Sequence, residues 1–388
     1  MNRRLKKMIA KVQRKAVLKR NVKSLRFPTL TRPLLDAPIL PTRRHDNAAV
    51  FEDALLDRIC TAYIAAEDSA GEDDIWTELT AENAGFIKAL KSRNFADLRN
   101  YFNHLFSGQL LFGMGHTDLF LTAKSPYDPN YFSFRCRDTI LSLAEALAVK
   151  TLPSNQQTSL DDYVASTNGD LAPYIEKIEA ELGHAITAPP VGQPPVAEIG
   201  PYLVSPDSIR HAYVPYRLRQ LGFQANARIM EIGGGFGNVA RYAFLQGFLD
   251  YTIVDIPYVN AIQAAFLAGA IGDENITLYG EASSAALKIM PSTRKQALPE
   301  KLELALNMDS LPEINYEESS EYLRLVKARS KFFFSVNQEA EKTHKGKIEQ
   351  YCVPDLIRKE GGFTRLHRHP YWMEQGYAEE LFAIDAAT

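Results

Sequence analysis

The chain has 388 residues, 46% apolar and 23% charged, which predicts two domains or more with a sizeable core and no need of staples. Its three cysteines, Cys60, Cys136 and Cys352, are odd in number and far apart, so they spell neither a disulfide framework nor a metal spacing. The net charge of −3 conceals an asymmetry: residues 1–35 hold twelve Lys or Arg and no acid, leaving 32 basic against 47 acidic residues beyond, a body ill suited to nucleic acid.

Residues 3–25 read as a basic amphipathic helix, with Leu5, Met8, Ile9, Val12 and Ala16 at helical spacing. Such a helix suits an anionic membrane surface; the alternative is a solvated tail, or docking on the acidic body or on a second subunit of a homo-oligomer. The N-terminus lacks the apolar core of a secretory signal, and no run of about 18 apolar residues predicts a membrane span. A cytoplasmic protein, peripheral at most to the inner face of the membrane, is expected. Pro28, Pro33, Pro38 and Pro41 then punctuate an extended stretch, closing a segment over 1–44.

A helical domain is expected over 45–186, with apolar residues at i, i+3 and i+4 in Phe51–Ala66, Phe86–Leu111 and Arg137–Ala148. The Pro-rich stretch at 187–200 reads as an interdomain linker. In 201–388 the pattern changes. Ser205-Pro206-Asp207 caps a helix through about Leu221, and apolar runs then alternate with helical segments: Arg228–Ile232, Tyr251–Val254, Asn275–Tyr279, Leu302–Leu306 and Lys331–Val336. That alternation predicts an α/β fold with a doubly wound, mostly parallel Rossmann-like sheet. Gly362–Arg368 and Leu381–Asp385 arrive without a long intervening helix and predict an antiparallel ending.

The first of these strands runs into Glu231-Ile-Gly233-Gly-Gly235-Phe-Gly237 and then a helix from Asn238. A glycine turn lets the chain reverse and lets a ligand approach the backbone, and the helix N-terminus beyond favours an anion. This suits a dinucleotide pyrophosphate or the carboxylate of S-adenosylmethionine. The dinucleotide pattern needs Gly or Ala where Asn238 stands. The second strand ends at Asp255, eighteen residues beyond Gly237, an acid placed to accept both ribose hydroxyls.

At Glu231, Gly233, Gly235 and Gly237 the chain resembles the class I S-adenosylmethionine-dependent methyltransferases. Within them, Asn307-Met-Asp309-Ser310-Leu-Pro-Glu313 is similar to a stretch of the bacterial sugar O-methyltransferase family, with Ile314 where that family has Met and with Asp309 added before the Ser. The resemblance implies a methyltransferase domain over 201–388, S-adenosylmethionine as cofactor and a sugar or glycan hydroxyl as acceptor. A small natural product, a protein or amine acceptor, or a silent scaffold subunit are the alternatives.

Ligands in open α/β sheets lie at the carboxyl ends of the strands. Asp309 and Glu313, beyond the fourth strand, are therefore the leading pair for acceptor binding or base, against a reading as caps of the next helix; His344 is a third catalytic candidate. Cofactor contacts are expected from the glycine turn, Asp255, Ile256, Asn307, Arg210 through the methionine carboxylate, and Glu281 near the adenine. Substrate contacts are expected from Ser310, Asn337, Gln338, Tyr213, His367 and His369, with Tyr371, Trp372 and Tyr377 as sugar platforms or plain packing. His367 and His369 share one strand face, but no third ligand at a telling spacing makes them a metal site.

Overall fold

The structure is a computed structural model that describes residues 29–66, 80–111, 113–121, 130–154, 156–282, 284–339, 342–344 and 348–385; the side chains of 342–344 and 348–350 are outside it. The basic helix expected over 3–25 lies outside the described residues.

After β1 (Thr42–Arg44), the N-terminal part folds as helices α1 (Asp53–Ala66), α2 (Ala84–Ser92), α3 (Phe95–Asn103), α4 (Tyr131–Ala146), α5 (Leu160–Asn168) and α6 (Ala172–Leu182). The single helix expected from Phe86 to Leu111 is split because Arg93 takes a left-handed conformation (φ 51°) and Asn94 caps the next helix by accepting from Asp97 N. The stretch at 187–200 is not a linker. Its Val191, Val196 and Ala197 are buried, and β2 (Pro195–Ile199) pairs antiparallel with β1 on one side and with β3 (Tyr202–Val204) on the other. Proline marks the edges of this small sheet rather than a free tether, since a strand tolerates Pro at its first position.

The remaining chain builds α7 (Pro206–Gln220), β4 (Ile229–Ile232), α8 (Asn238–Leu245), β5 (Tyr251–Asp255), α9 (Pro257–Ile271), β6 (Ile276–Thr277), β7 (Leu287–Pro291), β8 (Leu302–Met308), α10 (Tyr316–Arg329), β9 (Ser330–Gln338), β10 (Lys342–His344), β11 (Ile348–Gln350), α11 (Val353–Glu360), β12 (Phe363–Pro370) and β13 (Tyr377–Ile384). Eight strands form one sheet in the order β12-β13-β9-β8-β4-β5-β7-β6. The stretch from β6 to β9 is parallel, and β13 inserts antiparallel between β9 and β12. The α/β, mostly parallel sheet and its antiparallel ending are as expected.

The third parallel partner differs. It is β7, paired along β5 from Tyr251↔Leu287 to Asp255↔Pro291, whereas the predicted strand at 275–279 shrinks to the two-residue edge strand β6. Lys288 and Met290 on β7 are half-exposed, which breaks the continuous apolar run that marks a strand buried on both faces.

Alternation along β4 sends Ile229 to one face and Met230 and Ile232 to the other, and each face has its own core. Helices α10 and α11 cover the second face, with Leu323, Val326, Leu356 and Ile357. On the first face α7, α8 and α9 pack on the sheet, and α4 and α1 pack in turn on α7 and α9. The buried cluster there runs unbroken from Leu34 to Leu381, so helical part and sheet share one core.

Candidate functional site

The site forms at the carboxyl end of β4, where neighbours β5 and β8 lie on opposite sides and the strand order reverses. The chain leaves β4 through Gly233 (φ 69°), Gly235 (φ 53°) and Gly237 (φ 94°), all left-handed, and Gly237 caps α8. A Cβ on Gly233 would lie 2.2 Å from Ser310 Oγ, and one on Gly234 would lie 2.6 Å from an Ile253 methyl carbon. The turn is thus pressed against the loop after β8 and against β5.

Glu231 is 1% exposed beneath this turn. Its carboxylate accepts from Tyr251 Oη at 2.9 Å, and burial pushes its pKa up to about 8 despite that bond. It supports the loop from below, its Oε2 3.1 Å from where a Gly234 Cβ would be.

Asp255 ends β5 beside the turn. Its Oδ1 accepts from Ile256 N at 2.9 Å and its Oδ2 from Gln263 Nε2 at 2.9 Å, while the same nitrogen reaches Gly235 O at 2.9 Å. Burial lifts the acid to about 7, opposed by these bonds and by the amides of Gly234 and Gly235. Turn and acid form one hydrogen-bonded unit, with half-buried Ile256 next to it. Glu281 is not part of it. It lies beyond edge strand β6, two strands out from β5, and pairs with Arg58 at 2.7 Å, as Asp273 also does at 2.8 Å.

Three polar side chains lock the ends of β4, β8 and β9. Asn307 Nδ2 donates to Ile232 O at 3.0 Å, Ser310 Oγ donates to Ile232 O at 2.8 Å, and Asn337 Nδ2 donates to Asn307 Oδ1 at 2.9 Å. Asn307 and Asn337 are at most 2% exposed. All three satisfy buried backbone groups, Asn337 through the Asp309 amide, and so brace the strand ends. Gln338 ends β9 opposite Tyr377.

Asp309 follows with φ 67°, a conformation Asp tolerates better than most residues, and its amide donates to Val336 O at 3.0 Å and to Asn337 Oδ1 at 3.1 Å. Its carboxylate accepts from Tyr377 Oη at 2.8 Å and stands 4.0 Å from Arg210. Burial, helped by Glu374 and opposed by Arg210 and Tyr377, raises it to about 6. Glu313 is lifted to about 8 by burial and then by the charge of Asp309. Arg210 is engaged by Glu374 as well as Asp309, and Arg135 approaches Glu374 at 3.5 Å. A cation bracketed by two acids orients them, while its buried Nε has no hydrogen-bond partner.

The helical part closes the site from above. Met114 O lies 3.6 Å from where a Gly235 Cβ would be, and His116 donates Nδ1–H to Asp207 at 3.0 Å and its amide to the other oxygen at 2.7 Å. Burial works against the charge of Asp207, but His116, His211 and Arg210 hold its carboxyl well below the usual range. Burial, then Arg210, depress His211 to about 3, leaving it neutral within hydrogen-bond distance of Asn238 (3.2 Å). Thus Asn238, which displaced the dinucleotide pattern, is a 3%-exposed anchor of α8 to α7.

Other expected residues fall elsewhere. Tyr213 is buried against Tyr371 with ring centroids 5.8 Å apart, a packing role. His344 is on β10, and its side chain lies outside the described residues. His367 and His369 face Glu379 of β13, at 3.3 and 3.1 Å from its Oε1. His116 and Glu374 belong to no motif in the sequence, and they meet their partners Asp207 and Arg210 across 91 and 164 residues of chain.

No family model matches the chain, and no curated protein does. Among solved structures it is similar to the 1,6-didemethyltoxoflavin-N1-methyltransferase of Burkholderia thailandensis, at 17% identity over 45% of this chain and 76% of that one, with a TM-score of 0.34. It is also similar to a glycopeptide N-methyltransferase (11% identity, 44% and 88% covered, TM-score 0.34) and to the (4+2)-cyclase SpnF (12% identity, 47% and 83% covered, TM-score 0.35).

Proposed function

We propose that the protein is an S-adenosylmethionine-dependent methyltransferase acting on a hydroxyl, with a sugar or glycan as acceptor. The observation that carries the cofactor is the joined glycine turn and Asp255 at the switch point. The residues fit the group: left-handed Gly233, Gly235 and Gly237 turn the backbone beside Asp255, Asp255 has lone pairs to spare for ribose hydroxyls, and α8 directs its N-terminus at the turn. When bound, S-adenosylmethionine supplies a methyl group already activated by its sulfonium.

The chain's own residues do the rest. Asp309 takes the proton of the acceptor hydroxyl, a general-base role that contributes about 10²–10⁴-fold. Arg210 and Tyr377 orient that carboxylate, and the segment at Met114–His116 keeps water off the turn. A polar acceptor end carrying Asp309, Glu313, Glu374, Arg210 and Tyr377 suits a polyhydroxylated acceptor and supports the sugar reading.

Calorimetric titration of the purified chain with S-adenosylmethionine and with NAD tests the cofactor: heat with the first, abolished by Asp255→Ala, is expected, and binding of NAD alone overturns it. Release of S-adenosylhomocysteine across nucleotide sugars, glycans and amines tests the acceptor. Among the described residues no helix is long and apolar enough to cross a membrane. In this reading the basic segment over 1–35 rests on an anionic surface, and equal sedimentation with anionic vesicles with and without it removes that idea.

A further inference from the structure

The hairpin of β12 and β13 brings together three side chains that the proposed methyl transfer does not use. His367 and His369 alternate on β12 with nearly parallel rings, 5.2 Å between centroids and 11° between planes. Glu379 lies opposite on β13, directly across from His369. One ligand atom from each of the three lies within 4.8 Å of the other two.

His369 Nδ1 lies 3.0 Å from Pro370 O, and a carbonyl only accepts, so that nitrogen carries a proton. In the neutral ring Nε2 then points a lone pair at Glu379 Oε1, 3.1 Å away, and two acceptors face each other. His367 Nε2 is 3.3 Å from the same oxygen, buried and without a hydrogen bond. Glu379 is 0% exposed and its Oε2 has no hydrogen-bond partner either. Arg217 already brings one positive charge, its Nη2 3.4 Å from His369 Nε2 and its Nε on Glu379 Oε1, but His367 Nε2 and Glu379 Oε2 stay buried and unpaired, two lone-pair donors open to a further cation.

We propose that His367, His369 and Glu379 bind a divalent transition metal of the zinc class. Ligands about 2.0–2.1 Å from zinc at the tetrahedral angle stand about 3.3 Å apart, which matches both His–Glu separations. The other features are those of a built site. The Pro370 carbonyl fixes the His369 tautomer, as partners of metal-binding histidines commonly do. Arg217 on α7 donates Nε to Glu379 Oε1 at 2.7 Å and fixes the carboxylate while Oε2 stays open. The rings are 23% and 33% exposed, enough for an ion to enter. The ion ties edge strand β12 to β13. Tyr377, which holds Asp309, lies two residues along β13 on the same face, roughly 7 Å away.

The full chain, stripped with EDTA and freed of any affinity tag, is titrated with Zn²⁺ in competition with a chromophoric chelator. Co²⁺ then serves as a visible-absorption probe. One ion per chain is expected, with at least a tenfold loss of affinity in His369→Ala and in Glu379→Gln and loss of the tetrahedral cobalt spectrum in both. Glu379→Gln keeps an acceptor oxygen for Arg217 and so preserves the packing of the hairpin, and circular dichroism checks the fold of each variant. No uptake by the folded chain, or uptake that neither variant weakens, overturns the proposal. In that case the Arg217 guanidinium alone balances Glu379.

Discussion

At the scale of single residues, burial sets the chemistry. In the proposed reaction Asp309 acts as the carboxylate, and burial raises its pKa to about 6. The rate of acceptor-dependent S-adenosylhomocysteine release therefore falls as pH drops through about 6. Asp309→Asn lowers kcat by about 10²–10⁴-fold, and a variant with wild-type kcat excludes Asp309 as base. Glu231 makes a different prediction. Its folded pKa, about 8, stands above its ordinary 4.5, so the native state holds the proton more tightly than the unfolded chain. The stability this contributes is full below about 4.5 and lost as pH rises through about 8. Urea midpoints should fall across that window, and in Glu231→Gln the fall should shrink. Residue types at both positions were legible in the sequence, but their states were not, because desolvation depends on neighbours distant in the chain.

At the scale of elements, the glycine turn and the loop after β8 act as one. Gly233→Ala places a Cβ against Ser310 Oγ and adds the strain of a left-handed alanine. A loss of about 1–3 kcal/mol is expected, measured by urea unfolding, together with weakened S-adenosylmethionine binding. Adding Ser310→Gly removes the clash and should restore part of the stability; no coupling between the two changes refutes the contact. The turn was readable from its spacing. The role of Ser310 was not, since a motif names residue types but not whether they face a ligand or the backbone. Glu281 shows the converse: taking β6 for the third central strand carried the acid to the wrong place, and only pairing with β5 identified β7.

At the scale of the whole molecule, the helical part and the sheet share one apolar cluster, with Met114, Val191 and Ala197 in it beside Phe236 and Phe266. Calorimetry of the full chain should show one cooperative transition, and a fragment of residues 201–388 should lack one, because its first face would lose its cover. A fragment that melts cooperatively near the full chain's Tm would restore the two-domain reading. The same sharing explains why Met114 and His116 can close the site.

The sequence by itself determined the alternation of strands and helices, the glycine turn and the acid after the second strand. All three are local patterns, written in periodicity and spacing along a short stretch of chain. Only the tertiary structure decided that the Pro-rich stretch at 187–200 contains a buried strand, that Asn307, Ser310 and Asn337 brace the backbone, and that Glu379 joins His367 and His369. These depend on which strands become neighbours. That is set by burying two faces of one sheet at once, which no local window contains.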